Sequence, residues 1–136
     1  MRLTLIRGLP GSGKTTMAQE IVQLTGAVHV EGDHYFEAGG KYFFDAEWLG
    51  EAHQRCHRLA QAALLEGNDV VVSNTFTRIW EMQGYIDMSA LPLVDLVVIH
   101  CADDYGSIHG CPDGVIEKMR DRWETYGPEV IYGGAG

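Results

Sequence analysis

Gly8-Leu9-Pro10-Gly11-Ser12-Gly13-Lys14-Thr15 is the stretch on which the reading of this chain turns. It satisfies every fixed position of the pattern G-x-x-x-x-G-K-[ST], and its surroundings suit that pattern. Arg2 to Arg7 before it is a short run rich in strand formers. After it, Met17, Ile21, Val22 and Leu24 recur at helical spacing up to a stop at Gly26. Strand, glycine loop and helix together let successive backbone N–H groups turn inward around phosphates, while the helix N-terminus adds partial positive charge. Gly8, Gly11, Ser12, Gly13, Lys14, Thr15 and Thr16 are therefore expected to bind ATP with Mg²⁺. Lys14 would reach the β- and γ-phosphate oxygens, and the Thr15 hydroxyl would ligate the metal.

Outward from the loop, residues 28–30 read as a second strand and 32–41 as a loop. Asp45 is the expected N-cap of a helix over 46–66, with Gly67 as its stop. Residues 69–73 and 94–100 read as strands and 78–89 as a helix, and Pro112 opens a last helix running to about Tyr126. Residues 130–132 are either a short further strand or a frayed end. Strands alternating with helices imply right-handed parallel crossovers. The expected fold is thus a three-layer α/β domain spanning 1–136, with a parallel sheet of four or five strands and the loop strand near its centre.

Composition narrows the partners. With 46% hydrophobic and 21% charged residues the chain can build a globular core. No apolar run approaches the ~18 residues that span a bilayer, and Arg7 and Pro10 interrupt the start too early for a signal peptide, so no membrane partner and a cytoplasmic location are expected. Three cysteines without a CxxC suggest neither a disulfide framework nor a zinc ribbon. His53, Cys56 and His57 share a helical turn but lack the further ligands that a zinc site needs. A net charge of −9 argues against gripping a long nucleic-acid backbone by bulk electrostatics. Lys and Arg are absent between Arg78 and Lys118, and Lys118, Arg120 and Arg122 then fall close together. Trp48, Trp80 and Phe44 read as core residues rather than base-stacking platforms.

Five segments in order carry a resemblance to the 5′-polynucleotide kinase domains of phage and their eukaryotic kinase-like relatives, over nearly the whole chain. They are Arg7 to Thr16, Gly32-Asp33-His34-Tyr35-Phe36, Gly40 to His53, Ser73 to Met82 and His109 to Glu124. The resemblance implies sheet order 2-3-1-4 and transfer of the γ-phosphate to a hydroxyl acceptor, in that family a polynucleotide or nucleotide 5′-hydroxyl. It places Asp33 as the base that accepts the acceptor's proton, with His34 in the slot of a second Asp and His53 facing the acceptor. A loop after the second strand does open at the carboxyl edge of such a sheet, beside the γ-phosphate.

The chain also departs from that family. Ser73 or Asn74 stands where relatives carry an Asp at the end of the third strand, so a carboxylate of the magnesium shell is missing there. Asn74 can still bond a metal-bound water. Phe36 replaces an Arg, and the lid over 101–114 has no basic residue, which leaves Arg122 and Arg120 as candidates for supporting the γ-phosphate. Two further readings stay open: a kinase of small metabolites, and a non-catalytic ATP-binding module.

Overall fold

The computed structural model describes residues 1–32, 37–38, 41–42, 49–105 and 113–134. Its elements in chain order are β1 (Arg2–Arg7), α1 (Lys14–Thr25), β2 (Val28–Glu31), β3 (Glu37–Ala38), β4 (Lys41–Tyr42), α2 (Leu49–Leu65), β5 (Val70–Asn74), α3 (Ile79–Met88), β6 (Asp95–Cys101), α4 (Asp113–Asp121) and β7 (Val130–Tyr132). The main sheet has five strands in the order β2-β5-β1-β6-β7, all pairs parallel. Counting only these strands along the chain, the order is 2-3-1-4-5: the first four stand in the order the resemblance implied, and residues 130–132 form the extra edge strand.

β1 lies at the centre, and five of its six residues are buried. Alternation along the strands sends side chains to two cores. Leu3, Leu5, Val70, Val72 and Val98 pack against Ala60 and Leu64 of α2 and Met82 and Tyr85 of α3. Ile6, Val71 and Cys101 meet Ala18 of α1 across the other face. Helices on both faces explain why β1 and β5 read as near-continuous apolar runs rather than as alternating ones. The phosphate loop leaves the carboxyl end of the central strand, where the ends of β5 and β6 flank it.

Three local expectations are corrected. The span 32–41 contains strand β3, which pairs antiparallel with β4 through Glu37↔Tyr42 and Ala38↔Lys41. The Gly39-Gly40 pair between them is a sequence signal for such a hairpin. The last helix stops at Asp121 instead of near Tyr126. There the Glu124 N–H leaves the helical pattern to donate to the Thr77 carbonyl at 2.7 Å, and the Glu124 carboxylate accepts from the Ile79 N–H at the start of α3 at 2.9 Å. Trp80 is no core residue: it lies in the first turn of α3 and is 72% exposed, while Met82 and Tyr85 take that helix's buried positions. Asp45, Phe44 and Trp48 lie outside the described residues. Among the described residues no helix is long and apolar enough to cross a membrane.

Candidate active site

The loop is held in shape by its glycines and its neighbours. Gly11 and Gly13 adopt φ of 82° and 90°, the left-handed region that side chains disfavour. At Gly8 a Cβ would collide with Ser12 Oγ and approach the Cys101 carbonyl to 2.8 Å, so the backbone can pass there only without a side chain. Gly8 N–H donates to the Thr75 carbonyl, Ser12 N–H to that of Leu9, and Tyr105 N–H to that of Gly11 at 2.7 Å. Helix α1 starts at Lys14 with no side-chain cap and no acidic residue in its first turn. Its first amides are thus left to an anion. The Ser12 hydroxyl is buried and makes no hydrogen bond, a group that a phosphate oxygen would satisfy. Lys14 Nζ donates to the Leu9 carbonyl at 3.0 Å, which sets the ammonium over the loop.

Beside the loop lies a carboxylate that the sequence reading missed. Glu31 ends β2 and is only 8% exposed. Its Oε2 accepts from Thr15 Oγ1 at 3.1 Å and from Ser73 Oγ at 2.8 Å. His29 Nε2 sits 2.7 Å from Ser73 Oγ and 3.3 Å from Glu31 Oε2. Ser73 has one proton and gives it to Glu31, so His29 must be the donor in its own contact with Ser73. Hydroxyl and carboxylate oxygens in this arrangement fit a hard cation such as Mg²⁺. The available sequence signal was an acidic residue closing a β run at the carboxyl edge, which by itself names no partner.

On the other side of the loop a cleft of about 400 Å³ is lined by Leu9, Pro10, Asp103, Asp104, Arg120 and Trp123, among others. Its wall is anchored by Arg7, the last residue of β1 and fully buried. The Arg7 guanidinium donates to the carbonyls of Phe76 and Glu124 and to Glu129 Oε2 at 2.9 Å, and it lies 4.0 Å from the centroid of the Trp123 ring. His100 stacks on Trp123 at 4.5 Å. Burial pushes its pKa down, opposed by Glu129 and reinforced by Arg7. Burial likewise raises the Cys101 thiol, against the pull of Lys14. At the rim, Tyr105 donates to Asp103 Oδ2 at 3.0 Å, and that bond raises the phenol's pKa.

The expected site residues are placed as follows. Gly8, Gly11, Ser12, Gly13, Lys14, Thr15 and Thr16 form the loop and the first turn of α1. Arg120 lines the cleft and pairs with Glu117 at 3.0 Å on an exposed surface. Arg122 Nε instead donates to Thr77 Oγ1 at 3.0 Å, which ties it to the start of α3. Asn74 Oδ1 accepts from the Gly32 N–H at 2.8 Å, which ties the end of β5 to the residue just after β2. Asn74 Nδ2 is buried without a partner. His53 is half-buried on α2. Its neighbours Cys56 and His57 are taken up by packing: Cys56 is in the core, and the His57 ring meets Tyr85 edge-on at 4.3 Å. Asp33 and His34 lie outside the described residues.

Comparison with known proteins agrees with this geometry. A family description of an AAA domain matches residues 3–104. NEDD4-binding protein 2 from Homo sapiens is 37% identical over 89 residues, which cover 64% of this chain. The chain spans only 5% of that protein's length. Among solved structures, a sugar kinase from Janibacter sp. HTCC2649 superposes with a TM-score of 0.71 at 15% identity, covering 97% of this chain and 84% of that one. Kti12 of Chaetomium thermophilum, in complex with ADP-AlF3, gives 0.69 at 13% identity, with coverage of 96% and 88%. At such identities the two structures speak for the fold alone. The family match extends over well more than half of the residues and includes the whole phosphate loop, so the chain belongs to this AAA domain family, with a P-loop kinase-like fold.

Proposed function

We propose that this chain is an ATP-dependent phosphotransferase that moves the γ-phosphate to a hydroxyl acceptor. The observation that carries the reading is the loop of residues 8–15 at the carboxyl end of the central strand, open to a cleft bounded by α4. Magnesium, held through Thr15, would supply neutralisation of the phosphate charge. Lys14 would align the β- and γ-phosphates, and the backbone N–H groups of Gly11 to Thr15 would cradle them. Asp33, one residue beyond the Gly32 amide held by Asn74, would take the acceptor's proton as the hydroxyl oxygen attacks the γ-phosphorus and the bond to the β–γ bridging oxygen breaks, releasing ADP. Arg120, which lines the cleft together with Leu9 and Pro10, would support the transferring group.

A polynucleotide or nucleotide 5′-hydroxyl is the acceptor that the sequence resemblance favours. A small uncharged alcohol is the second reading, and a specific observation supports it: Asp103 and Asp104 outnumber Arg120 in the lining of the cleft, which disfavours a long nucleic-acid backbone there. One assay separates the two. γ-Labelled ATP is offered to oligonucleotides with a free 5′-hydroxyl and to a panel of sugars and other small alcohols. Label on the oligonucleotide supports the first reading, and label on a small alcohol supports the second. ATP binding without transfer to any acceptor would sink the phosphotransferase and leave a nucleotide-binding module.

A further inference from the structure

We infer that Glu31 supplies the carboxylate of the magnesium shell, taking over from the position on the neighbouring strand that carries Ser73. The inference rests on the ATP-magnesium reading of the loop and deepens it. Thr15 is the hydroxyl expected to ligate the metal, and a hydroxyl has one proton and two lone pairs. Its proton is directed to Glu31, 3.1 Å from Oε2 and 3.3 Å from Oε1. Donation in that direction leaves the lone pairs of Thr15 for a cation.

The carboxylate is held in place from three elements. Thr15 is on α1, Ser73 is on β5, and Glu31 closes β2 directly opposite Ser73, its register partner. His29, two residues back and so on the same face of β2, donates to Ser73, which donates to Glu31. In these contacts the carboxylate serves as the acceptor, from Thr15 and from Ser73. The serine thus sits where a carboxylate would be expected, and the carboxylate sits one strand over. A Glu side chain is one methylene longer than Asp, which helps to bridge the ~4.8 Å between neighbouring strands.

The test reads metal binding, not turnover. ATP affinity of the full chain is measured by calorimetry with magnesium and with EDTA, for the wild type, Glu31→Gln, Glu31→Ser and the double variant Glu31→Ser with Ser73→Asp. Loss of a group that orients a metal ligand typically costs ~10–100-fold in metal affinity, so in Glu31→Gln the tightening by magnesium should shrink by about that factor while affinity in EDTA stays put. The double variant, with a carboxylate restored on β5, should regain most of the tightening lost in Glu31→Ser. Wild-type magnesium dependence in Glu31→Gln overturns the inference. So does a folded double variant no more magnesium-responsive than Glu31→Ser, which decides the matter if Glu31→Gln fails to fold. Wild-type protein that binds ATP equally in both buffers overturns it and spares the nucleotide reading, whereas no ATP binding in either buffer removes both.

Discussion

Lys14 and Asp33 should separate binding from chemistry. The loop from Gly8 to Thr15 contains no second cation, so Lys14→Ala should abolish measurable ATP-magnesium affinity in calorimetry, and undiminished affinity would refute the cradle. Asp33→Asn should leave that affinity unchanged and lower turnover by ~10²–10⁴, the usual contribution of a positioned base. Transfer at the wild-type rate in that variant would remove Asp33 from the mechanism. Lys14 was legible because its partners are its own neighbours in the chain. Glu31 was not, because its value depends on Ser73, 42 positions away and brought opposite by strand register.

At the scale of elements, α4 and the segment after it decide how two arginines from one cluster are used. Arg120 lies within the helix and lines the cleft, whereas Arg122 is just past its end and bonds Thr77. Arg120→Ala should therefore reduce turnover with little change in unfolding free energy, since its pair with Glu117 is exposed and such pairs are worth ~0–1 kcal/mol. Arg122→Ala should lower stability by about 1 kcal/mol through the lost hydrogen bond to Thr77. Urea denaturation and steady-state kinetics on the two variants check the division, and the reverse pattern would assign the cleft role to Arg122. Helical periodicity alone could not foresee this split, because the helix is ended by a backbone bond from Glu124 to Thr77 that no local preference encodes.

For the whole molecule, Arg7 joins the central strand to the chain beyond α4. Its partner Glu129 lies 122 positions away and its side chain is 3% exposed. Removing one member of a buried pair leaves the other charge uncompensated, so Arg7→Met should destabilise the fold by ~3–5 kcal/mol. A loss below about 1 kcal/mol in urea would show that the anchor is dispensable. Acid should weaken the fold as well. His57, lowered by burial and by His53, and His100, lowered chiefly by burial, both sit below their ordinary value of 6.5. As pH falls below that value the unfolded chain takes up protons that the native protein does not, so stability is full above it and declines below it until the folded-state pKa values are passed. The melting temperature should be lower at about pH 5.5 than at about pH 7.5, and the gap should narrow in His57→Gln and His100→Gln. An unchanged gap in both variants would locate the acid sensitivity elsewhere.

The phosphate loop and the parallel α/β class were legible from sequence because each is written in contiguous residues: glycines at set intervals, apolar runs of strand length, helical spacing between them. The order of the first four strands followed from resemblance and agrees with the pairing observed, whereas residues 130–132, open between a strand and a frayed end, are settled as the edge strand by their pairing with β6. Tertiary structure alone decided which polar groups meet. Glu31 faces Thr15 because β2 lies at one edge of the sheet, and Arg7 meets Glu124, Glu129 and Trp123 because the chain returns past β6. A strand's periodicity tells which side of the sheet a residue faces but not which neighbour waits there; that depends on strand order and register, which are set by the packing of the whole core.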